Sequence, residues 1–250
     1  MQVAALFRHP IKSHGRESID QVTLTAGQTM PWDRYWAVTH DATKFDTSAP
    51  GWAHCRNFML GARTPALAGI WARLDEAERR VTLSHCDLPD LSFCPDDQSD
   101  VARFLSWVAP LCDPDRALPK DIISVPGRGM TDSDYPTLSV MNMASHDDVA
   151  LALGNPITLE RWRGNIWLQG ATAWVEFDWI GRRLRLGEVV LLIREPIRRC
   201  MVTNTNPVTG LRDTETLDTL KTRFGHQDFG VYAEVVETGT LRTGDKATLI

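Results

Sequence analysis

The feature that most constrains this chain is the brevity of its apolar runs. Val3–Phe7, Tyr35–Thr39, Val81–Ser84, Asn165–Gln169, Val189–Arg194 and Val231–Val236 are short, rich in β-branched and aromatic residues, and separated by Gly, Pro, Asp or Asn. Runs of that length and composition fit a pleated, half-buried surface better than a helix. The expected fold is therefore α+β and mainly β, with a barrel or sandwich architecture. The closing segment, Gly239–Ile250, reads as a hairpin turning at Thr243-Gly244-Asp245.

Three helices follow from period and punctuation. Val101, Phe104, Leu105 and Val108 keep i, i+3, i+4, i+7 spacing after Ser99, which predicts a helix near 99–109. Ser145 with Asp148 resembles a capping box, and Gly154 supplies a stop. The third helix starts near Thr214, with Leu217, Leu220 and Phe224 on one face and Gly225 after it. At 250 residues the chain can hold one large domain or two small ones. The Pro- and Gly-rich stretch between Cys112 and Thr131 suggests a connection, so a boundary is placed near residue 115, dividing 1–115 from 116–250.

Composition removes several classes of function. With 27 basic and 32 acidic residues the formal charge is −5, which argues against a chain that wraps nucleic acid. No apolar run approaches the ~18–20 residues of a membrane helix. The N-terminus also lacks the pattern of a secretory leader, so the expected location is cytoplasmic, with no membrane partner. Cysteines at 55, 86, 94, 112 and 200 form no CxxC pair, which favours reduced thiols and leaves no built-in iron–sulfur motif. Nor is there a GxGxxG dinucleotide fingerprint.

Five segments could carry chemistry. In Arg198-Arg199-Cys200 two guanidiniums precede a thiol, and positive charge favours thiolate, so Cys200 is a candidate nucleophile or soft-metal ligand, or simply a small residue ending a strand. Arg161, Arg163 and Asn165 sit at the mouth of a strand, where Arg forks could bind phosphate or meet surface carboxylates. Lys12 and Ser13 follow the first strand and could hold an anion, and Arg34 enters another strand. Asp132 and Asp134 lie together in a Pro-containing loop, where turn chemistry competes with acid–base work.

Taken in order, His9-Pro-Ile-Lys12-Ser13, Asp33-Arg34-Tyr35-Trp36, Asp134 ahead of Leu138–Ser145, Arg163-Gly-Asn165-Ile, Glu176 with Trp179, Arg199-Cys200, Asn206-Pro-Val-Thr-Gly210, Phe229-Gly-Val-Tyr232 and Gly244-Asp245 resemble the MOSC family, the molybdenum cofactor sulfurase C-terminal domain, preceded by its N-terminal β-barrel partner. More distantly the chain resembles the mitochondrial amidoxime-reducing component. The resemblance implies a two-part β-barrel architecture with a few peripheral helices, and a molybdenum cofactor of the molybdopterin type. Cys200 would be the metal ligand. Lys12, Ser13, Arg34, Arg163, Asn165 and Arg199 would bind the cofactor, and Asp134 would position substrate or relay a proton.

The same resemblance implies an oxidoreductase that reduces N-hydroxylated or similar oxygenated small molecules, drawing electrons from a separate iron–sulfur or flavin protein. An alternative is a sulfur carrier or sulfurtransferase using a Cys200 persulfide. The chain departs from the family at Tyr135-Pro136, where the amidoxime reducers carry a small hydroxyl pair. It departs again in Trp52–Arg63, where either Cys55-Arg56 or Ala62-Arg63-Thr64 stands in for a Thr-Ala-Arg step. That segment is expected to rebuild one wall of the pocket.

Overall fold

A computed structural model describes residues 1–250. The first half supplies β1 (Gln2–Arg8), β2 (Ile11–Lys12), β3 (Glu17–Ile19), β4 (Gln21–Leu24), β5 (Trp36–His40), β6 (Trp71–Asp75), β7 (Arg80–His85), β8 (Leu88–Phe93), α1 (Gln98–Val108) and β9 (Pro119–Ser124). The second half supplies β10 (Leu138–Asn142), α2 (Met143–Leu153), β11 (Ile166–Gln169), β12 (Arg183–Leu186), β13 (Val189–Arg198), α3 (Thr216–Phe224), β14 (Asp228–Glu237), β15 (Gly239–Arg242) and β16 (Ala247–Leu249). All six expected strand runs and all three helices are present, so the mainly β reading holds.

The barrel does not close in any sheet. Eight strands run in the order β16-β12-β13-β14-β10-β11-β1-β3, accompanied by β15-β4, β2-β5-β9 and β6-β7-β8. The long sheet curls until its start approaches its end, with a bridge between Gln2 and Lys246 and Ala247 N donating to Met1 O at 2.9 Å. The expected C-terminal hairpin is absent for a related reason. The N-terminal strand wedges between its arms: Val3 N donates to Asp245 O at 2.9 Å and Gly244 N donates to Val3 O at 2.8 Å. The arms therefore splay, β15 to β4 and β16 to β12.

Three sheets draw strands from both sides of residue 115: β1 pairs with β11, β9 with β5, and β15 with β4. One core fills the curl of the long sheet around Leu6, Val140, Leu191 and Val231. A second, around Trp36, Phe93 and Phe104, lies under the three-stranded sheets and α1. Burying such side chains contributes roughly 1.5–3 kcal/mol each.

Helix ends deserve one correction. α2 begins two residues before the expected cap, because Asn142 Oδ1 accepts from Ala144 N at 3.1 Å. Ser145 instead donates to the buried Glu176 carboxylate at 2.7 Å, and Asp148 accepts from Trp174 Nε1 at 2.6 Å. Gly154 ends the helix as expected, at φ +70°.

Candidate functional site

Loops from both cores meet around a cavity of about 350 Å³. Lys12, Ser13, Arg34, Arg163, Asn165, Arg199 and Cys200 all line it. Asp134 does not. It lies exposed in an adjoining groove with Trp52, Tyr135 and Glu195, and the carboxylate that lines the cavity is Asp132. Sequence reasoning named the acidic loop but had no means of telling its two faces apart.

Backbone conformation at the wall is unusual. Ser13, Arg34 and Arg163 adopt φ of +65°, +53° and +52°, a left-handed conformation that non-glycine residues rarely take. Each borders a different short element: Ser13 leaves β2, Arg34 precedes β5, and Arg163 ends the 3-10 turn Leu159–Trp162. Next to Arg163, Gly164 lets the chain pass Met141, whose Cγ would sit 2.4 Å from an added Cβ.

The cations differ in how far the protein already satisfies them. Lys12 Nζ donates to Met130 O at 2.7 Å and to Asp132 Oδ1 at 2.5 Å. Arg34 pairs with Asp33 and donates to Arg163 O at 3.1 Å. Asp33, buried behind it, also accepts from His9 N at 2.8 Å. Burial opposes ionisation of Asp33, but Arg34 and the bonds from His9 hold its carboxyl well below the usual range. His9 is lowered as well, to about 3, through burial and then the nearby Arg163 and Arg34, so it is neutral. It is a buried brace for Asp33, not a lining residue.

Among the cavity cations that are not exposed, Arg163 is the least satisfied. Its guanidinium donates once, to Gly15 O at 3.3 Å, and has no carboxylate in salt-bridge contact. Burial, then Arg34 and Arg16, lower it to about 9, so it stays charged at neutral pH. In all, Lys12, Arg34, Arg163, Arg198 and Arg199 face the cavity against the single carboxylate Asp132. Burial disfavours the charge on Asp132, yet Lys12 and then Arg34 and Arg163 keep it ionised below its ordinary range.

Two expected binders have their polar groups engaged by the protein. Asn165 Oδ1 accepts from Ser139 N at 3.1 Å, and Asn165 Nδ2 donates to Phe7 O at 3.3 Å. The amide thus ties β1 to β10 and β11. Arg199 donates to Phe229 O at 2.8 Å through Nε and to Trp162 O at 2.9 Å through Nη1. Its guanidinium lies near the stacked Trp162 and Phe229 rings and braces the wall behind the next residue.

That next residue, Cys200, stands exposed at the N-cap of the 3-10 turn Met201–Asn204. β13 delivers it there. Pro196 cannot donate to the ladder, and register shifts flank it between Ile193 and Glu195 and between Pro196 and Arg198. The strand end is thereby turned toward the cavity. Opposite lies the segment 55–62: Cys55, Leu60, Gly61 and Ala62 all line the cavity, and an added Cβ on Gly61 would sit 3.1 Å from Val202 Cγ2. Burial pushes the Cys55 thiol up. The Asn206–Gly210 loop backs this wall, its Asn206 Oδ1 accepting from Val208 N at 2.8 Å.

Sequence reasoning quoted Tyr232 without a role. It lines both cavity and groove, and burial with Asp132 nearby raises its phenol to about 12. Arg16 was missed altogether. Its Nη1 donates to Ala68 O at 2.6 Å and Ile70 O at 2.9 Å, and Nη2 reaches Pro207 O, fastening the segment behind the cavity to the Asn206–Gly210 loop. A single Arg after a glycine carries no sequence signal for such a long-range clamp.

Chemically, this is a preformed, cation-rich recess with one exposed thiol, suited to an anionic guest that also offers a soft centre. The five cysteines are all free, and no helix is long and apolar enough to cross a membrane.

Comparison with known proteins finds relatives of part of this chain. The amidoxime-reducing component 1 named mitochondrial in Xenopus laevis is 31% identical over 139 residues, covering 50% of this chain and 38% of that protein. The human mitochondrial amidoxime reducing component 2 is 32% identical over 124 residues, covering 45% and 36%. The matched segments thus span well under half of those relatives. The solved YUAD protein from Bacillus subtilis aligns over 99% of this chain and 94% of its own, with 13% identity and a TM-score of 0.45. Residues 1–109 match the model of the MOSC N-terminal beta barrel domain and residues 129–248 that of the MOSC domain, and the chain accordingly belongs to the MOSC family.

Proposed function

We propose that this chain is a molybdenum-cofactor-dependent oxidoreductase that removes oxygen from N-hydroxylated small molecules, with Cys200 as the protein's ligand to the metal. The observation that carries the reading is Arg163, a guanidinium that donates one hydrogen bond to its own protein, on the wall of the cavity that also exposes the Cys200 thiol. A phosphate ester matches the unused donors and a dithiolene-held metal matches the sulfur, so the residues fit such a group. When bound, the cofactor supplies two-electron oxygen-atom chemistry.

The chain's own share is binding, orientation and proton handling. Lys12, Ser13, Arg34 and Arg163 hold the anionic end, while Arg199 and Asn165 keep Cys200 and the strand junction in place. Substrate enters along the groove of Trp52 and Tyr135, where the exposed Asp134 orients it. Asp132 and Tyr232 lie where cavity and groove join; the Tyr232 phenol holds a proton for the departing oxygen, and the ionised Asp132 carboxylate steadies Lys12 beside it. Electrons come from a separate iron–sulfur or flavin protein.

Elemental and pterin analysis of protein purified from a molybdenum-replete host tests the reading. Near-stoichiometric molybdenum that Cys200→Ser removes, with turnover of an N-hydroxyamidine under an artificial donor, supports it. Metal-free protein bearing a cyanide-labile sulfur on Cys200 overturns it in favour of a persulfide carrier, a reading that the exposure of Cys200 also allows.

A further inference from the structure

We propose that the tight turn between β7 and β8 is a transition-metal site, in which His85 Nδ1, Cys86 Sγ and the Asp87 carboxylate bind one divalent cation of the Zn²⁺ class and leave a fourth position for water. His85 Nδ1 lies 3.9 Å from Cys86 Sγ and 3.9 Å from Asp87 Oδ2, and the three donor atoms are all within 4.8 Å of one another. Tetrahedral zinc, with bonds of about 2.0–2.3 Å, sets its ligand atoms roughly 3.3–3.6 Å apart. Closing the gap takes a few tenths of an ångström from His85 to each partner and at most about 1.5 Å between Cys86 and Asp87, both exposed and free to change rotamer.

The imidazole is already oriented for this. Its side chain is 1% exposed, and its Nε2 edge is wedged over Gly69, where an added Cβ would meet it at 2.7 Å. Asp87 N donates to Nδ1 at 3.2 Å, which puts the lone pair on Nδ1 and the proton on Nε2. A metal ligand must be that neutral form with its lone pair facing the ion. The cation displaces this long hydrogen bond within an exposed turn, where water can take the freed N–H. Nε2 has no partner in the protein, so the fold makes no use of the ring's second nitrogen. On binding, the Cys86 thiol gives its proton to solvent and the thiolate bonds to the ion. Imidazole, thiolate and carboxylate together select a borderline cation over Ca²⁺ or Mg²⁺. The set is separate from the cavity, which none of the three residues lines.

The experiment titrates Co²⁺ into the full chain under reducing conditions, reading the thiolate-to-cobalt charge-transfer absorption, and repeats the binding calorimetrically with Zn²⁺. A Cys55→Ser/Cys200→Ser background removes the cavity thiols. One equivalent should bind in that background. Cys86→Ser should abolish the charge-transfer band, and Asp87→Asn should weaken Zn²⁺ at least tenfold, with unchanged circular dichroism. His85→Gln checks the third ligand and should weaken binding likewise. A band that survives Cys86→Ser, that vanishes with the cavity thiols alone, or that never saturates overturns the proposal.

Discussion

Replacing Arg163 with alanine separates a binding role from a structural one, because the two roles predict opposite ratios of damage. In the cofactor-free protein the guanidinium makes one 3.3 Å hydrogen bond, to Gly15 O, and sits beside Arg34 and Arg16. Losing that bond costs about 0.5–1.5 kcal/mol. Removing a half-buried cation that has no carboxylate partner returns a comparable amount. Alanine inherits the same left-handed φ of +52°, so backbone strain cancels between the two proteins. The net change in apo stability should stay within about 1 kcal/mol, or about 2–4 °C in Tm for a chain of this size.

A guest phosphate, by contrast, loses two charge-assisted bonds at about 1.5–3 kcal/mol each. At tenfold per 1.4 kcal/mol, a loss of ~3 kcal/mol weakens binding by more than a hundredfold. The assay is paired: molybdenum and pterin per chain after expression, and thermal unfolding of the stripped protein. Arg163→Lys, which keeps charge without the fork, should fall between wild type and alanine in occupancy. Full occupancy in Arg163→Ala, or a fall in apo Tm of ~8 °C or more, would refute the reasoning.

Three further outcomes follow from the same geometry. Arg199→Met leaves Phe229 O and Trp162 O without their buried donor, so urea unfolding should lose about 2–4 kcal/mol; a loss under ~1 kcal/mol would show that the guanidinium braces nothing. His9 and His14, buried and lowered to about 3 and about 4, bind fewer protons folded than unfolded. Their contribution is therefore complete above about pH 6.5 and drains as pH falls toward those values, with about 1.4 kcal/mol lost per histidine between pH 7.5 and 5.5; His14→Gln should flatten that slope by about half of the pair's share, measured by urea melts at each pH, and an unchanged slope would contradict the assignment. Asp134→Asn should retain metal and lower turnover, whereas Asp132→Asn, by releasing Lys12, should tighten anion binding several-fold; equal effects of the two in both assays would remove the distinction between cavity and groove.

Legibility of the fold tracked the range of the interactions. Short β-branched runs and helical period are local, and Val189–Arg194 or Leu217–Phe224 could be assigned without knowing what they pack on. The hairpin expected at Gly239–Ile250 failed because its outcome was decided by Val3, more than two hundred residues away in sequence, whose backbone occupies the turn. The cap at Ser145 failed similarly. A buried carboxylate, Glu176, drew the hydroxyl away, and the next available acceptor, Asn142, took over the helix end. For the site, residue type was a sound guide to which side chains gather and a poor one to what their polar atoms do. Arg199 and Arg163 are the same residue on the same wall, yet one is spent on carbonyls and the other is almost unused.

That contrast, joined to the backbone, bears on how the recess can work. Six non-glycine residues of the chain have positive φ, and three of them, Ser13, Arg34 and Arg163, line the cavity. Each such residue costs of order 1–3 kcal/mol and persists only where the surrounding structure over-determines it. Here the determinants are visible: Arg34 N donates to His9 O at 2.6 Å, Asp33 holds the Arg34 guanidinium, and Arg34 in turn holds the Arg163 carbonyl. A recess that merely tolerated an occasional anion would have no need of cations fixed on strained backbone. One in which a large guest must present a single atom to a single sulfur does need them, since donors already in place spare the guest the entropy of ordering them. The net charge of −5 is compatible with this, because five cations face the recess against one carboxylate, and the low-dielectric walls of a concavity strengthen their field locally.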